Sequence, residues 1–196
     1  MMEHINRLEP DELMHLALHA SNNNHPDEAI SLLKDLINKT PYNAEALYLL
    51  GALHAEIGMY DRAKEEISKA LEYEPNLVPA RFQLGLLHLT SGNVDLAEKT
   101  WSDLEELGEK DCFFLFKRGL LSLAQDRFDS CIEDLSRGIA LNSFNEPLNK
   151  DMSRIIEAAE KTINEQSVTQ DVTDDSGDST NNRFSLLSAY RRNDIE

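Results

Sequence analysis

The sequence predicts an all-α fold in which antiparallel helix pairs stack as a solenoid, and three observations carry the prediction. First, Gly51, Gly85 and Gly119 are each separated by 34 residues, a period at which helical hairpins repeat. Second, twelve residues beyond each glycine stands a small residue, Ala63, Ala97 or Cys131, and from it apolar positions step by four and then three. Such steps fall on one face of a helix. Third, turn-forming residues divide each period, so that every repeat reads as two short helices, A and B, rather than one long one.

In chain order, residues 1–9 form an N-terminal extension. One period before Gly51 and Ala63 lie Ala17 and Ala29, which define a first repeat over 10–43. Its helix B carries the stripe Ala29, Leu33, Leu36, and Asn22, Asn23 and Asn24 break the chain before Pro26. Pro26 suits a first helical turn, where its missing N–H is not needed. The second repeat, 44–77, turns at Gly58 and carries Ala63, Ile67 and Ala70. The third, 78–111, turns at Ser91-Gly92-Asn93 and carries Ala97, Trp101 and Leu104. The fourth, 112–145, turns at Gln125-Asp126 and carries Cys131, Leu135 and Gly138. The glycine that ends this last stripe costs helix propensity. Pro41 and Pro75 close the first two repeats, whereas Glu109 and Ser143 stand in those places in the last two.

Asn145 is an N-cap residue, and beyond it Leu148, Met152, Ile155, Ala159 and Ile163 step at helical spacing. A capping helix over 146–165 is expected, with Lys150, Arg154, Glu157, Lys161 and Glu165 turned outward to end the apolar edge of the stack. Residues 166–182, dominated by Ser, Thr, Gln, Asn and Asp, read as a disordered acidic linker. Hydrophobes and basic residues then return over 183–196. Phe184, Leu187, Tyr190, Arg191 and Arg192 give this stretch the look of a linear motif, expected to dock in the protein's own groove or to recruit a separate partner, the alternative being an unstructured tail with no role.

Together these positions resemble the tetratricopeptide repeat (TPR) family over residues 10–145. The second repeat matches best, with Leu47, Leu50, Gly51, His54, Gly58, Tyr60, Ala63, Ile67, Ala70 and Pro75 at the signature places. The family's bulky tryptophan position holds Leu13, Leu47, Arg81 and Leu115. The resemblance implies a right-handed superhelix that grips a polypeptide in a concave groove lined by positions two, five, nine and twelve of each helix A. Position five gives Met14, Tyr48, Phe82 and Phe116. Position nine gives Leu18, Ala52, Leu86 and Leu120, and position twelve gives Ser21, Ala55, Leu89 and Leu123. Leu89 and Leu123 join the positions five and nine residues as the candidate site. An extended apolar surface of this kind needs a cover, and an apolar peptide or an amphipathic helix would supply it. The Lys, Asn and Arg set with which one TPR subclass holds a C-terminal carboxylate is missing. Its places hold Met14, Leu18, Leu49, Pro79 and Gln83, or, one repeat on, Tyr48, Ala52, Gln83, Phe113 and Lys117. Replacing Phe82 by Glu is expected to lower partner capture while leaving helicity intact.

Composition narrows the function. In 196 residues, 41% are apolar, which suffices for a core, and the formal net charge is −17. Nucleic acid is excluded as a partner, because phosphate binding needs clustered cations. No apolar run is long enough to insert into a membrane, and a cytoplasmic location is expected. The two cysteines, Cys112 and Cys131, show no metal-ligand or disulfide spacing. Cys131 reads as a buried thiol and Cys112 as the more exposed. His15 and His19 are four apart but lack the acidic residue of a metalloprotease helix, and His54 and His88, one period apart, read as packing residues. With no nucleophile motif and no phosphate loop, the chain is expected to be non-catalytic and to need neither cofactor nor metal. An interaction adaptor or chaperone that binds protein or peptide is the expected function. The alternative is a structural subunit that self-associates through the apolar surface.

Overall fold

The residues that precede the A helices recur every 34 residues, at Glu9, Asn43, Leu77, Asp111 and Asn145, and polar ones among them supply partners for the backbone groups of the first turn. The side chains of Asn43, Asp111 and Asn145 accept hydrogen bonds from Ala46 N (2.9 Å), Phe113 N (2.8 Å) and Leu148 N (3.0 Å). At Glu9 the backbone N–H donates instead to the Glu12 carboxylate, at 2.8 Å. A computed structural model describes residues 8–169 of the chain. From these caps run α1 (Pro10–Asn22), α3 (Ala44–Glu56), α5 (Val78–Thr90), α7 (Cys112–Ala124) and α9 (Glu146–Thr169). They are the A helices of four repeats and, in the register of a fifth, the C-terminal helix. The B helices are α2 (Pro26–Lys39), α4 (Tyr60–Tyr73), α6 (Val94–Trp101) and α8 (Phe128–Leu141). Among the described residues there is no strand.

The turn from A to B is the same device four times. Asn24, Gly58, Gly92 and Asp126, one period apart, have φ of 60°, 78°, 81° and 58°. Each ends its helix in a left-handed residue of the Schellman type. Its own N–H donates to the carbonyl three residues back, and the next N–H donates to the carbonyl five back, as in Gly58 N to Ala55 O (3.0 Å) and Met59 N to His54 O (2.7 Å). The same pair of bonds forms at Asn24, Gly92 and Asp126.

The third repeat departs from expectation. Its helix B is α-helical only to Trp101 and continues as a 3₁₀ turn over Ser102–Leu107, ending at Gly108 with φ 70°. The Ser102 hydroxyl donates to the Lys99 carbonyl at 2.9 Å, a local bond that competes with the α-helical ladder. Leu104 is buried nonetheless, since a three-residue step returns to the same face in a 3₁₀ helix as well.

The chain divides into two compact units, Met1–Leu84 and Gly85–Glu196. In the first, Leu13, Ala17 and Ala20 of α1 meet Ala29, Leu33 and Leu36 of α2 and Ala46, Leu50 and Leu53 of α3 in one core. A second cluster joins Ala44, Leu47 and Ala70, with Tyr48 packed against it. In the second unit Trp101, Leu104, Leu115, Leu135, Met152, Ile155 and Ala159 are all buried. Glycines there admit aromatic rings: a methyl group at Gly85 would collide with the Trp101 indole, and one at Gly138 would lie 2.5 Å from Phe116 Cε1. Gly138 therefore seats a buried ring, which offsets the helix propensity it forfeits.

The C-terminal helix buries Leu148, Met152, Ile155 and Ala159 and exposes Lys150, Arg154, Glu157, Lys161 and Glu165. Asn142 and Asn149 are buried at its start, and the Asn142 amide donates to Asn149 Oδ1 at 2.8 Å. The helix runs to Thr169, four residues further than the expected boundary at 165.

Candidate peptide-binding surface

In the first unit the candidate residues fall into two matched stripes. On α1, Asp11, Met14, Leu18 and Ser21 follow at steps of three, four and three. On α3, Glu45, Tyr48, Ala52 and Ala55 repeat the steps 34 residues on. Steps of this kind align side chains along one face. The acids at the head of each stripe are exposed, and the six residues after them are half-buried. Met14 packs against the α1–α3 core with part of its side chain open. Burial pushes the Tyr48 phenol above its ordinary ionisation range, and the carboxylate of Glu56, exposed at the far end of the α3 stripe, adds to the shift. The phenol thus stays protonated near neutral pH. Asp11 and Glu45 occupy position two, where the period itself marks them as part of this face.

The other six candidates are core residues. Phe82 and Leu86 are each 1% exposed, and Leu89, Phe116, Leu120 and Leu123 are fully buried. Their rings and branches fill packing space, as the seat of Phe116 against Gly138 illustrates. This corrects the expectation that Phe82→Glu would spare helicity, because the new carboxylate would have to enter the core. The C-terminal motif residues Phe184, Leu187, Tyr190, Arg191 and Arg192 lie outside the described residues, as do positions 170–182 of the expected linker.

Lys117, Arg118 and Arg137 of the second unit are engaged with acids. Lys117 is buried, with its ammonium 2.5 Å from Glu105 Oε1 and 5.1 Å from the Phe114 ring centre. It does not serve as a groove cation. Arg118 forks onto Asp134 at 2.7 and 2.6 Å and reaches Glu109 at 2.8 Å, and Arg137 meets the same glutamate at 3.2 Å. Hydrogen bonds from Arg118 and Arg137 hold the Glu109 carboxyl below its usual range. The residue that stands where the third repeat's closing proline would be is therefore an ionic tie between α7 and α8.

Of the potentially reactive side chains, His54, Cys112 and Cys131 are buried. His54 is buried in α3 with Nδ1 2.5 Å from Glu66 Oε2 of α4. His15 and His19 are exposed, and among the described residues no cluster of three or more His, Cys, Asp or Glu could hold a metal ion. Both thiols are buried, which corrects the expectation of a more exposed Cys112. Burial, with Asp111 adding, pushes Cys112 up to about 11, and burial, with Asp134 adding, pushes Cys131 to about 12. Thiols so shifted are poor nucleophiles at neutral pH. Among the described residues no helix is long and apolar enough to cross a membrane.

Comparison with known proteins agrees with this architecture. The family model of the tetratricopeptide repeat matches residues 23–76. A stretch of 71 residues is 34% identical to the BBSome complex member BBS4 of Bos taurus; it covers 36% of this chain and 14% of that protein. The fold is similar to MamA 41-end from Desulfovibrio magneticus RS-1, with a TM-score of 0.58 at 17% identity over 95% of this chain and 97% of the other. It is also similar to YrrB, described as a TPR protein with an unusual peptide-binding site, with a TM-score of 0.55 at 16% identity over 93% and 84% of the two chains. With the 34-residue register running through caps, turns and paired helices, the chain has the all-α helix-pair fold of the tetratricopeptide repeat, to which its residues 23–76 match.

Proposed function

We propose that this protein is a non-catalytic interaction adaptor that holds an apolar peptide or amphipathic helix against the A helices of its first two repeats. The observation that carries the reading is the pair of matched stripes, Met14 and Leu18 on α1 and Tyr48 and Ala52 on α3. They are apolar, partly open and repeated in register. Half-buried side chains of this kind are rigid enough to present a fixed surface and open enough to lose water on contact. Of the ten candidate residues these four offer the contact; the other six are buried. The peptide-binding site of YrrB, a similarly folded chain, points the same way. Such an adaptor acts as a chaperone where its ligand is an unassembled partner segment.

A peptide array of apolar and amphipathic sequences, probed with the full chain and with Met14→Glu and Tyr48→Glu variants, tests the reading. Binding that falls at least tenfold in both variants, with unchanged circular dichroism, supports it. Equal binding by all three proteins refutes it.

The second reading is a structural subunit of a larger assembly. It is favoured by the BBSome membership of the bovine relative and by Phe144, which is 67% exposed beside an exposed Leu141. Sedimentation velocity separates the two: a stable oligomer dissociated by Phe144→Asp supports the structural role, and a monomer at all concentrations removes self-association from it.

A further inference from the structure

From the carboxylates that close the α3 stripe at both ends, we infer that the ligand of this surface is an extended peptide whose short apolar stretch is flanked on each side by arginine or lysine. The inference rests on the groove reading above and adds the charge pattern of the partner. Every residue concerned lies in the first unit. Glu45 heads the α3 stripe and is exposed. Glu56 ends α3, also exposed and near enough for its charge to act on the Tyr48 phenol. Between them Tyr48, Ala52 and Ala55 are half-buried, and the two alanines are small enough for a peptide backbone to come close. Neither α1 nor α3 contains a lysine or arginine. At the head of α1 Lys39 of α2 donates to the Leu8 carbonyl at 2.7 Å, so a cation already stands toward that end, and the pairing falls to α3.

Helix stability accounts for Glu45 but not for Glu56. A carboxylate in the first turn favours the helix dipole, whereas one at the last residue opposes it. The step from Glu45 to Glu56 spans about 16 Å along the helix, which an extended peptide covers in about five residues. Guanidinium groups suit both ends because they form forked bonds to carboxylates. Charges at the two ends fix the register of a peptide that apolar contact alone would let slide, and they turn away acidic peptides.

Methyl resonances of Met14, Leu18 and Ala52 in the full chain, followed while synthetic hexapeptides with blocked termini are added, test this. Arg-Leu-Ala-Leu-Ala-Arg should shift them saturably and bind at least tenfold more tightly than Gln-Leu-Ala-Leu-Ala-Gln. Arg-Arg-Leu-Ala-Leu-Ala, of equal charge, should bind at least threefold more weakly than the first. Glu45→Gln with Glu56→Gln should cut the preference for arginine over glutamine below threefold. Glu28→Gln with Glu65→Gln, which removes two exposed acids of α2 and α4, should leave it intact. Equal affinity for the arginine and glutamine peptides overturns the charge pattern. Equal loss of preference in the two double variants also overturns it, since the chain's overall negative charge would then suffice. Equal binding of the two arginine peptides overturns the two-ended register. In each of these cases the groove reading stands if the shifts vanish in Tyr48→Glu. No shift of these methyls with any hexapeptide overturns the inference, and loss of Tyr48-dependent binding on the array as well takes the groove reading with it.

Discussion

Replacing Gly138 by alanine sets two effects of known sign against each other. Gly138 lies inside α8, and alanine at an unobstructed position of a helix interior would stabilise by about 1 kcal/mol. Here the added methyl carbon would lie 2.5 Å from Phe116 Cε1 and 2.6 Å from Cδ1, with the Cys112 carbonyl oxygen at 3.4 Å. Carbon atoms rest at about 3.5–4.0 Å, so the ring would have to retreat by about 1 Å. Phe116 is fully buried, and forcing a methyl group into a filled core costs about 1–3 kcal/mol. The clash outweighs propensity, and Gly138→Ala should destabilise by about 1 kcal/mol, several-fold in the folded-to-unfolded ratio. Trp101, the one tryptophan in the sequence, is buried in the same unit, so urea unfolding can be followed by its fluorescence. In a Phe116→Leu background the obstruction is smaller. Gly138→Ala should then be neutral or stabilising, a coupling of about 1 kcal/mol or more between the two sites. If Gly138→Ala raises stability by about 1 kcal/mol in the parent protein, the close approach of α8 to the Phe116 ring is refuted.

Further outcomes are expected. Asn24→Gly and Asp126→Gly should each stabilise by about 0.5 kcal/mol, because a positive φ strains an L-residue. Gly58→Ala, where no atom lies within 4 Å of the added carbon, should cost about 1 kcal/mol from backbone strain alone; thermal melts by circular dichroism read all three. Phe82→Glu should lose helicity and destabilise by more than about 4 kcal/mol in urea titrations, since it sets a carboxylate in a core position. Cys112 and Cys131 should resist a disulfide reagent at neutral pH and react once urea unfolds the chain. With both thiols ionising near 11 and 12 when folded and near 9 when not, the unfolded state loses its protons first. Stability should therefore fall as pH rises above about 9, as urea midpoints across that range would register.

Much of the fold was legible because it is local and repeated. A cap such as Asn43 or Asp111, a turn such as Gly58, and the stripe Ala63, Ile67, Ala70 each act within a few residues, and the 34-residue period multiplies a weak signal four times. The same register placed the start of α9 just after Asn145, whereas Asp11 and Glu45, at position two of the Met14 and Tyr48 face, were not among the candidates. The candidate site was legible only in part. Position five reads as large and apolar in all four repeats, yet Met14 and Tyr48 keep an open edge while Phe82 and Phe116 are enclosed. Hydrophobicity measures the gain from covering a side chain, not whether the protein itself does the covering, and that depends on neighbours distant in sequence. The shortened α6 escaped for a similar reason, since the three-residue step from Trp101 to Leu104 suits a 3₁₀ turn and an α-helix alike. Gly138 looked like a defect until the Phe116 ring was seen against it, and Glu109 looked like a lost proline until Arg118 and Arg137 were found on its carboxylate. By itself the sequence determined the repeat, the helix pairs and their caps, because short-range backbone chemistry dictates them. Only the tertiary structure decided which apolar side chains are core and which remain to meet a partner, because burial is a property of packing across the chain.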